Sequence, residues 1–466
     1  MVFSSFPFLI WFLPFFLAIY HTAPVKTHNF VLLLFSLVFY AYGCSEHPLY
    51  FLLLVCSVFL NWVLGLLISK SKVKKFWLLI GLILDFGFLF VFKYLDFAIS
   101  GVNRISSFFA SGSLNLYHLN LVLPIGISFF TFQIVSYLID VYRGTVPVEK
   151  NIIDLGAYII AFPQLIAGPI VKYGEIYTKL HDRFVNKEYI FRGIELFIFG
   201  LGFKVLLANR LAGLWTEVSK IGYSSLSVPM AWMGIFGYSL QLYFDFYGYS
   251  LMAIGLGKML GFDIPENFRT PYVSLTMTEF WTRWHITLGS WFREYVYIPL
   301  GGNRKGNART FLNLFTVWML TAIWHGAGVN FLLWGLFLAL IIIAEKAVYG
   351  KFLERHSVFG HIYMIILIPV SWLLFALDSM GDIKDYLCRL VGAGGEYVFA
   401  EDWLKNGKLY LPFLVIGVIL ATPVGKKIYE RIKSKPVIIP VLIAITAGTF
   451  YCLYKGLNDP FMYFRF

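Results

Sequence analysis

Apolar runs, each about long enough to cross a bilayer, alternate with short polar stretches along the whole chain. They fall near residues 5–23, 29–45, 48–69, 76–98, 120–142, 189–211, 228–260, 311–325, 331–349, 361–378, 409–424 and 437–455. A helix of about 20 apolar residues spans a hydrocarbon core, so the pattern predicts an all-α, polytopic transmembrane bundle with about 12 crossings. Two stretches depart from a plain span. The run 152–171 is interrupted by Pro163, Gly168 and Pro169. Irregular backbone at membrane depth is tolerated only where protein covers it or where it lines a cavity, so this stretch reads as re-entrant. The run 228–260 is too long for a straight crossing and contains several glycines, which predicts a tilted or broken helix.

No soluble domain is visible at either terminus. The first run, Phe6 to Tyr20, lacks a basic leader and a small-residue cleavage site and reads as a retained span. The simplest partition is one membrane domain over residues 1–466.

Composition fits this picture: 59% of residues are hydrophobic and 14% are charged, against about 25% charged in a soluble domain. The formal net charge of +12 would suggest nucleic acid in a soluble protein. Here the basic residues sit in short loops, so no nucleic-acid partner is expected and the charge reads as a topology signal. Lys70, Lys72, Lys74 and Lys75 fill one loop, Lys172, Lys179, Arg183 and Lys187 another, and Lys426, Lys427, Arg431, Lys433 and Lys435 a third. With the crossings above, all three fall on one side, the cytoplasmic one. The mixed-charge loop 379–408 and both termini fall outside. The four cysteines have neither metal nor redox spacing, and Cys56 and Cys452 read as small packing residues within apolar runs. No metal site is expected.

Two regions carry candidate chemistry. In 277–303, Trp281, Trp284, Leu288, Trp291 and Tyr295 recur at helical spacing, predicting an amphipathic interfacial helix with an aromatic face. Glu279 and Arg283 form an i,i+4 pair on it. His285 sits on the apolar stripe, either as a structural histidine or as a reactive one. In 318–330, His325 closes an apolar segment and is followed by Gly326 and Gly328, which allow close approach of another backbone or a ligand, and then by Asn330. Histidine, with an ordinary pKa near ~6.5, suits general-base work, such as taking the proton of a hydroxyl that attacks a thioester. The bland alternative is a packed helix-end histidine. Asp245 and Gln133 lie in apolar surroundings, where they either orient a histidine or a substrate or bond neighbouring helices. A phosphate-binding loop, a serine nucleophile elbow and an HExxH zinc motif are all absent.

Phe280-Trp-Thr-Arg-Trp-His285, Tyr297-Ile-Pro-Leu-Gly-Gly-Asn-Arg304 and Leu320-Thr-Ala-Ile-Trp-His-Gly326 resemble the signature of the membrane-bound O-acyltransferases. The branch most similar is that of the alginate and peptidoglycan O-acetyltransferase membrane subunits. Phe162-Pro-Gln-Leu-Ile-Ala-Gly-Pro-Ile170, Tyr243-Phe-Asp-Phe-Tyr-Gly-Tyr-Ser250, Pro265-Glu-Asn-Phe268, Val2-Phe-Ser-Ser5 and Pro460-Phe-Met-Tyr-Phe-Arg-Phe466 extend the resemblance over nearly the whole chain. It implies a helical bundle around a central funnel, with His325 as the principal catalytic residue and His285 as the second histidine. By analogy with a D-alanyl-transfer cousin, Tyr463 reads as an acyl carrier, with an interfacial anchor as its alternative.

The expected activity is acyl transfer, most simply of acetyl from cytoplasmic acetyl-CoA, across a bacterial inner membrane to an extracytoplasmic polysaccharide. Arg304 and Lys305 are expected to attract the donor's phosphates, Asp245 and Asn330 to contact substrate, and membrane lipid to surround the chain. No tightly bound cofactor is expected. The family analogy adds an exported SGNH-type acetyltransferase as partner. D-alanyl transfer for teichoic-acid modification, a transporter or flippase without ester chemistry, and a non-catalytic scaffold are the rival readings.

Overall fold

The computed structural model describes residues 2–109, 115–166, 168–394 and 400–456. Tyr463 lies outside the described residues. Each of the expected apolar runs folds as a helix, and among the described residues the only β-pairing is an isolated bridge, Phe268 with Trp284. The chain is therefore all-α, as the hydropathy pattern implied. Among the described residues, six helices are long and apolar enough to cross a membrane by themselves: Val25–Gly43, Leu49–Lys70, Lys74–Lys93, Val329–Arg355, Ser357–Ala376 and Asp402–Ala421. The other expected segments are helical too, though shorter or more polar.

The chain packs into two units, Met1–Gly193 with Leu256–Pro265, and Ile194–Gly255 with Glu266–Phe466. In the first unit, Leu49–Lys70, Lys74–Lys93 and Ile127–Arg143 pack on one another. Small residues allow it: a Cβ on Gly81 would meet Leu138 at 2.6 Å, and one on Gly65 would meet the Tyr137 hydroxyl at 2.9 Å. Close packing at small residues is how helices associate where lipid removes the hydrophobic drive. Between two of these helices a polar pair is buried, with Asn61 Nδ2 donating to Asp85 Oδ1 at 2.9 Å.

The interrupted run behaves as its prolines and glycine demanded. It forms Ile152–Ile159 and a single turn, Phe162–Leu165, and its described non-helical residues are buried apart from half-buried Ala161. Side chains satisfy that backbone: Phe162 N donates to Ser36 Oγ at 3.1 Å, and the Tyr158 hydroxyl donates to Val171 O at 2.9 Å. The Phe162 ring sits edge-on to Phe12 and Phe16 of the first helices. The run expected at 120–142 starts later, at Ile127, because the chain turns at Gly126. That residue has φ +74°, and a Cβ on it would meet Leu165 O at 2.3 Å. Cys56 is exposed on its helix and does not pack internally.

Val228–Met259, of which 228–255 belong to the second unit, is one continuous helix of 32 residues, about 48 Å at 1.5 Å per residue. Of the two expected departures, tilt or break, the break does not occur. Its glycines serve a crossing instead: a Cβ on Gly248 would meet Gly200 O at 2.6 Å, and one on Gly200 would meet Gly248 O at 2.4 Å. Directly after this contact the partner helix loosens into a π-helical stretch, Phe203–Ala208, a distortion that often accompanies functional or strained positions.

Candidate active site

The expected amphipathic helix over 277–303 is not continuous. It forms two seven-residue helices, Met277–Arg283 and Ile286–Phe292, followed by a π-helical turn, Arg293–Tyr297. The break falls at His285, whose φ is +46°. A non-glycine residue there is uncommon and costs on the order of 1–2 kcal/mol. Two grips hold the first short helix. At its start, the Thr276 side chain accepts from Glu279 N, and the Glu279 carboxylate accepts from Leu275 N, a reciprocal cap. Buried Glu345 then accepts from Met277 N, Thr278 N and Thr278 Oγ1 at 2.6–2.8 Å, and from the Tyr363 hydroxyl at 2.9 Å. The Glu279–Arg283 pair forms as expected, at 2.6 Å.

His325 ends the helix Gly306–His325 and is buried. Its ring stands edge-on to Trp334 at 5.2 Å and to Phe375 at 5.1 Å. The approach that Gly326 permits is made by the chain's own Phe331, whose ring a Cβ would meet at 2.3 Å; a Cβ on Gly328 would meet Asn330 Oδ1 at 2.2 Å. Asn330 is buried and bonds Asp378 at 3.4 Å. Behind the histidine, Trp281, Trp318, Trp334 and Trp372 form a wall of rings with centroids 4.9–6.5 Å apart. The indole N–H groups of Trp281 and Trp334 are buried without a hydrogen-bond partner among the described residues.

The two candidate histidines meet at one residue. The Trp324 ring lies 4.8 Å from His325 and 6.1 Å from His285 between centroids. His285 also stands edge-on to Phe246 at 4.7 Å. It lies outside the apolar spans, and burial pushes its imidazole down to about 3, because desolvation disfavours the charged form. A neutral imidazole in a dry aromatic setting can accept a proton or a hydrogen bond.

Asp245 is placed differently from a free ligand. Its Oδ1 lies 2.7 Å from Lys204 Nζ, with both side chains buried, and Lys204 also donates to Asn209 Oδ1 at 3.0 Å. Lys204 lies within the run 189–211, where a charge is a functional candidate by rule; that signal alone singles it out. Arg304 and Lys305 are exposed on the turn before Gly306, at the opposite end of the His325 helix. That helix has 20 residues, which places the two basic side chains about 30 Å from the histidine end. Glu345, a charge within the run 331–349, carried the same signal as Lys204, and Asn267 lay in the Pro265–Phe268 motif, but their partners are distant in the chain and meet them only through the fold.

Comparison with known proteins gives the family. The model of the MBOAT, membrane-bound O-acyltransferase family, matches residues 145–377, which contain both histidines, Lys204 and Asp245. A Pseudomonas putida protein named "Probable alginate O-acetylase AlgI" is 38% identical over 454 residues, covering 95% of this chain and 91% of the relative. The "Peptidoglycan O-acetyltransferase" of Helicobacter pylori is 34% identical over 402 residues, covering 78% and 74%. The "Teichoic acid D-alanyltransferase" of Bacillus subtilis is 27% identical over 234 residues, covering 48% and 59%. The chain belongs to the membrane-bound O-acyltransferase family. It is a multi-pass membrane enzyme that transfers an acyl group from a donor to an oxygen.

Proposed function

We propose that this enzyme moves an acetyl group from cytoplasmic acetyl-CoA across a bacterial inner membrane for the O-acetylation of an extracytoplasmic polysaccharide. The observation that carries the reading is the pair of buried histidines packed on Trp324 within an aromatic wall. The two imidazoles handle the proton of the reaction, with His325 as principal base. It takes the proton from the attacking hydroxyl as the C–O bond forms, and the proton returns to sulfur as the C–S bond breaks. Arg304 and Lys305 attract the donor's phosphates on the cytoplasmic side. Asp245, held by Lys204, and Asn330 contribute to substrate binding. Tyr463 takes the acyl group as a phenolic ester and passes it on to an exported SGNH-type transferase. The alginate and peptidoglycan relatives favour acetyl and a polysaccharide; the more distant D-alanyltransferase keeps D-alanyl transfer as the second reading.

The test is His325→Ala in a well-expressed, inserted protein. Loss of a general base costs ~10²–10⁴-fold in rate, so ester on the surface glycan should fall to background. Wild-type ester content would remove His325 from the chemistry.

A further inference from the structure

Asn267 lies in the extended stretch that leads to the two short helices, and it grips the chain next to His285. Its carbonyl accepts from Ile286 N at 3.0 Å, and its neighbour Phe268 pairs with Trp284 in the isolated bridge. Its side-chain Oδ1 lies 3.2 Å from Thr287 N, 2.9 Å from Thr287 Oγ1 and 3.2 Å from His285 Nδ1. Its Nδ2 donates to Ser250 Oγ at 3.3 Å.

These contacts settle which end of the amide faces the histidine. A backbone N–H only donates, so the Asn267 atom in front of Thr287 N is the carbonyl oxygen. That oxygen has no hydrogen to give, so His285 Nδ1 carries the proton and donates. In a neutral imidazole the other nitrogen is then the acceptor. Nε2 is buried and has no hydrogen-bond partner among the described residues.

We infer that Asn267 is a positioning residue that locks His285 in the Nδ1–H tautomer and so presents bare Nε2 as a second proton acceptor of the site, beside His325. This rests on the proposed role of His285 in acyl transfer. A proton taken up by His285 enters at Nε2, from the acceptor hydroxyl as the C–O bond forms. It leaves from Nε2, to sulfur as the C–S bond breaks. Nδ1–H stays on Asn267 throughout, and the amide carbonyl stabilises the imidazolium formed in between. The grip also holds the left-handed backbone at His285. None of the described contacts of His285 is a charged group. Phe246 and Trp324 do not titrate, Ser250 and Thr287 bring neutral hydroxyls to Asn267, and the titratable group beyond Trp324 is His325.

Nuclear magnetic resonance of the full-length protein with isotope-labelled histidine, reconstituted in lipid, reads the tautomer directly, with His285→Gln assigning the signal. The expected result is a protonated Nδ1 and a bare Nε2; a proton on Nε2 instead overturns the inference. Asn267→Ala should lower kcat on the order of 10²-fold with donor KM unchanged. Asn267→Asp keeps the acceptor but adds a charge that favours imidazolium. Nε2 is then protonated at neutral pH, so activity should fall there and recover as pH rises, an acid limb the wild type lacks. Wild-type kcat in Asn267→Ala beside an inactive His285→Ala overturns the positioning role. An active His285→Ala overturns the role of His285 itself and leaves the tautomer result standing.

Discussion

His285 and His325 pack against the same indole, that of Trp324, although one precedes a seven-residue helix and the other closes a 20-residue one. Residues that act as a unit in one reaction lose activity non-additively. His285→Ala with His325→Ala should therefore be little worse than the poorer single variant, scored as acyl ester on the surface glycan. Two independent losses that multiply would mean that the rings share packing but not chemistry.

Lys204 and Asp245 form a buried ion pair at 2.7 Å beside the glycine crossing. Removing one partner leaves a buried charge uncompensated and costs about 3–5 kcal/mol. Lys204→Met and Asp245→Leu should each lower the thermal unfolding temperature in detergent, and together they should recover most of it. If Asp245 also binds substrate, the double variant refolds without regaining activity. Single variants as stable as wild type would show that the pair does not hold the crossing together.

What could be read from the sequence follows from the range of the interactions. Apolar length and loop charge are local, so the helices and the interruption at Pro163 and Gly168 were legible. His325 was legible because it closes an apolar run beside two glycines. The Glu279–Arg283 pair was legible because its partners are one turn apart. The helix break at His285 was not, because the aromatic spacing of 281–295 continues through it. The break is imposed from outside, by Asn267 and the bridge to Phe268 on one side and by Glu345 at the start of the first short helix. The continuous helix of 228–259 was obscured by glycines that read as breakers and turned out to be sites of backbone contact.

Tyr463 is the proposed acyl carrier. A phenol, with an ordinary pKa of ~10, leaves more readily than a sugar alkoxide, so a phenolic ester retains the potential to acylate a glycan hydroxyl. Splitting the transfer in this way replaces one difficult step with two easier ones. Tyr463→Phe keeps the ring and removes the nucleophile. It should abolish glycan acylation, and wild-type enzyme given donor without acceptor should carry an acyl mass increment on its C-terminal peptide. Full activity of the variant would leave the ring as an interfacial anchor.

Arg304 and Lys305 stand at one end of the helix that His325 ends, about 30 Å away for its 20 residues. That distance approximates the thickness of a hydrocarbon core, so the basic turn and the histidine suit opposite membrane faces. On the proposed reading the turn acts on the donor before chemistry and not on the reacting carbonyl. Charged contacts to phosphate contribute about 1.5–3 kcal/mol each in a favourable geometry, and less when exposed and screened by salt. Arg304→Ala with Lys305→Ala should thus raise the donor KM about tenfold while leaving turnover at saturating donor close to wild type. The KM of the wild type should climb with ionic strength more steeply than that of the variant. A fall in kcat with KM unchanged would instead place the turn in the conformational or chemical step and detach it from donor capture.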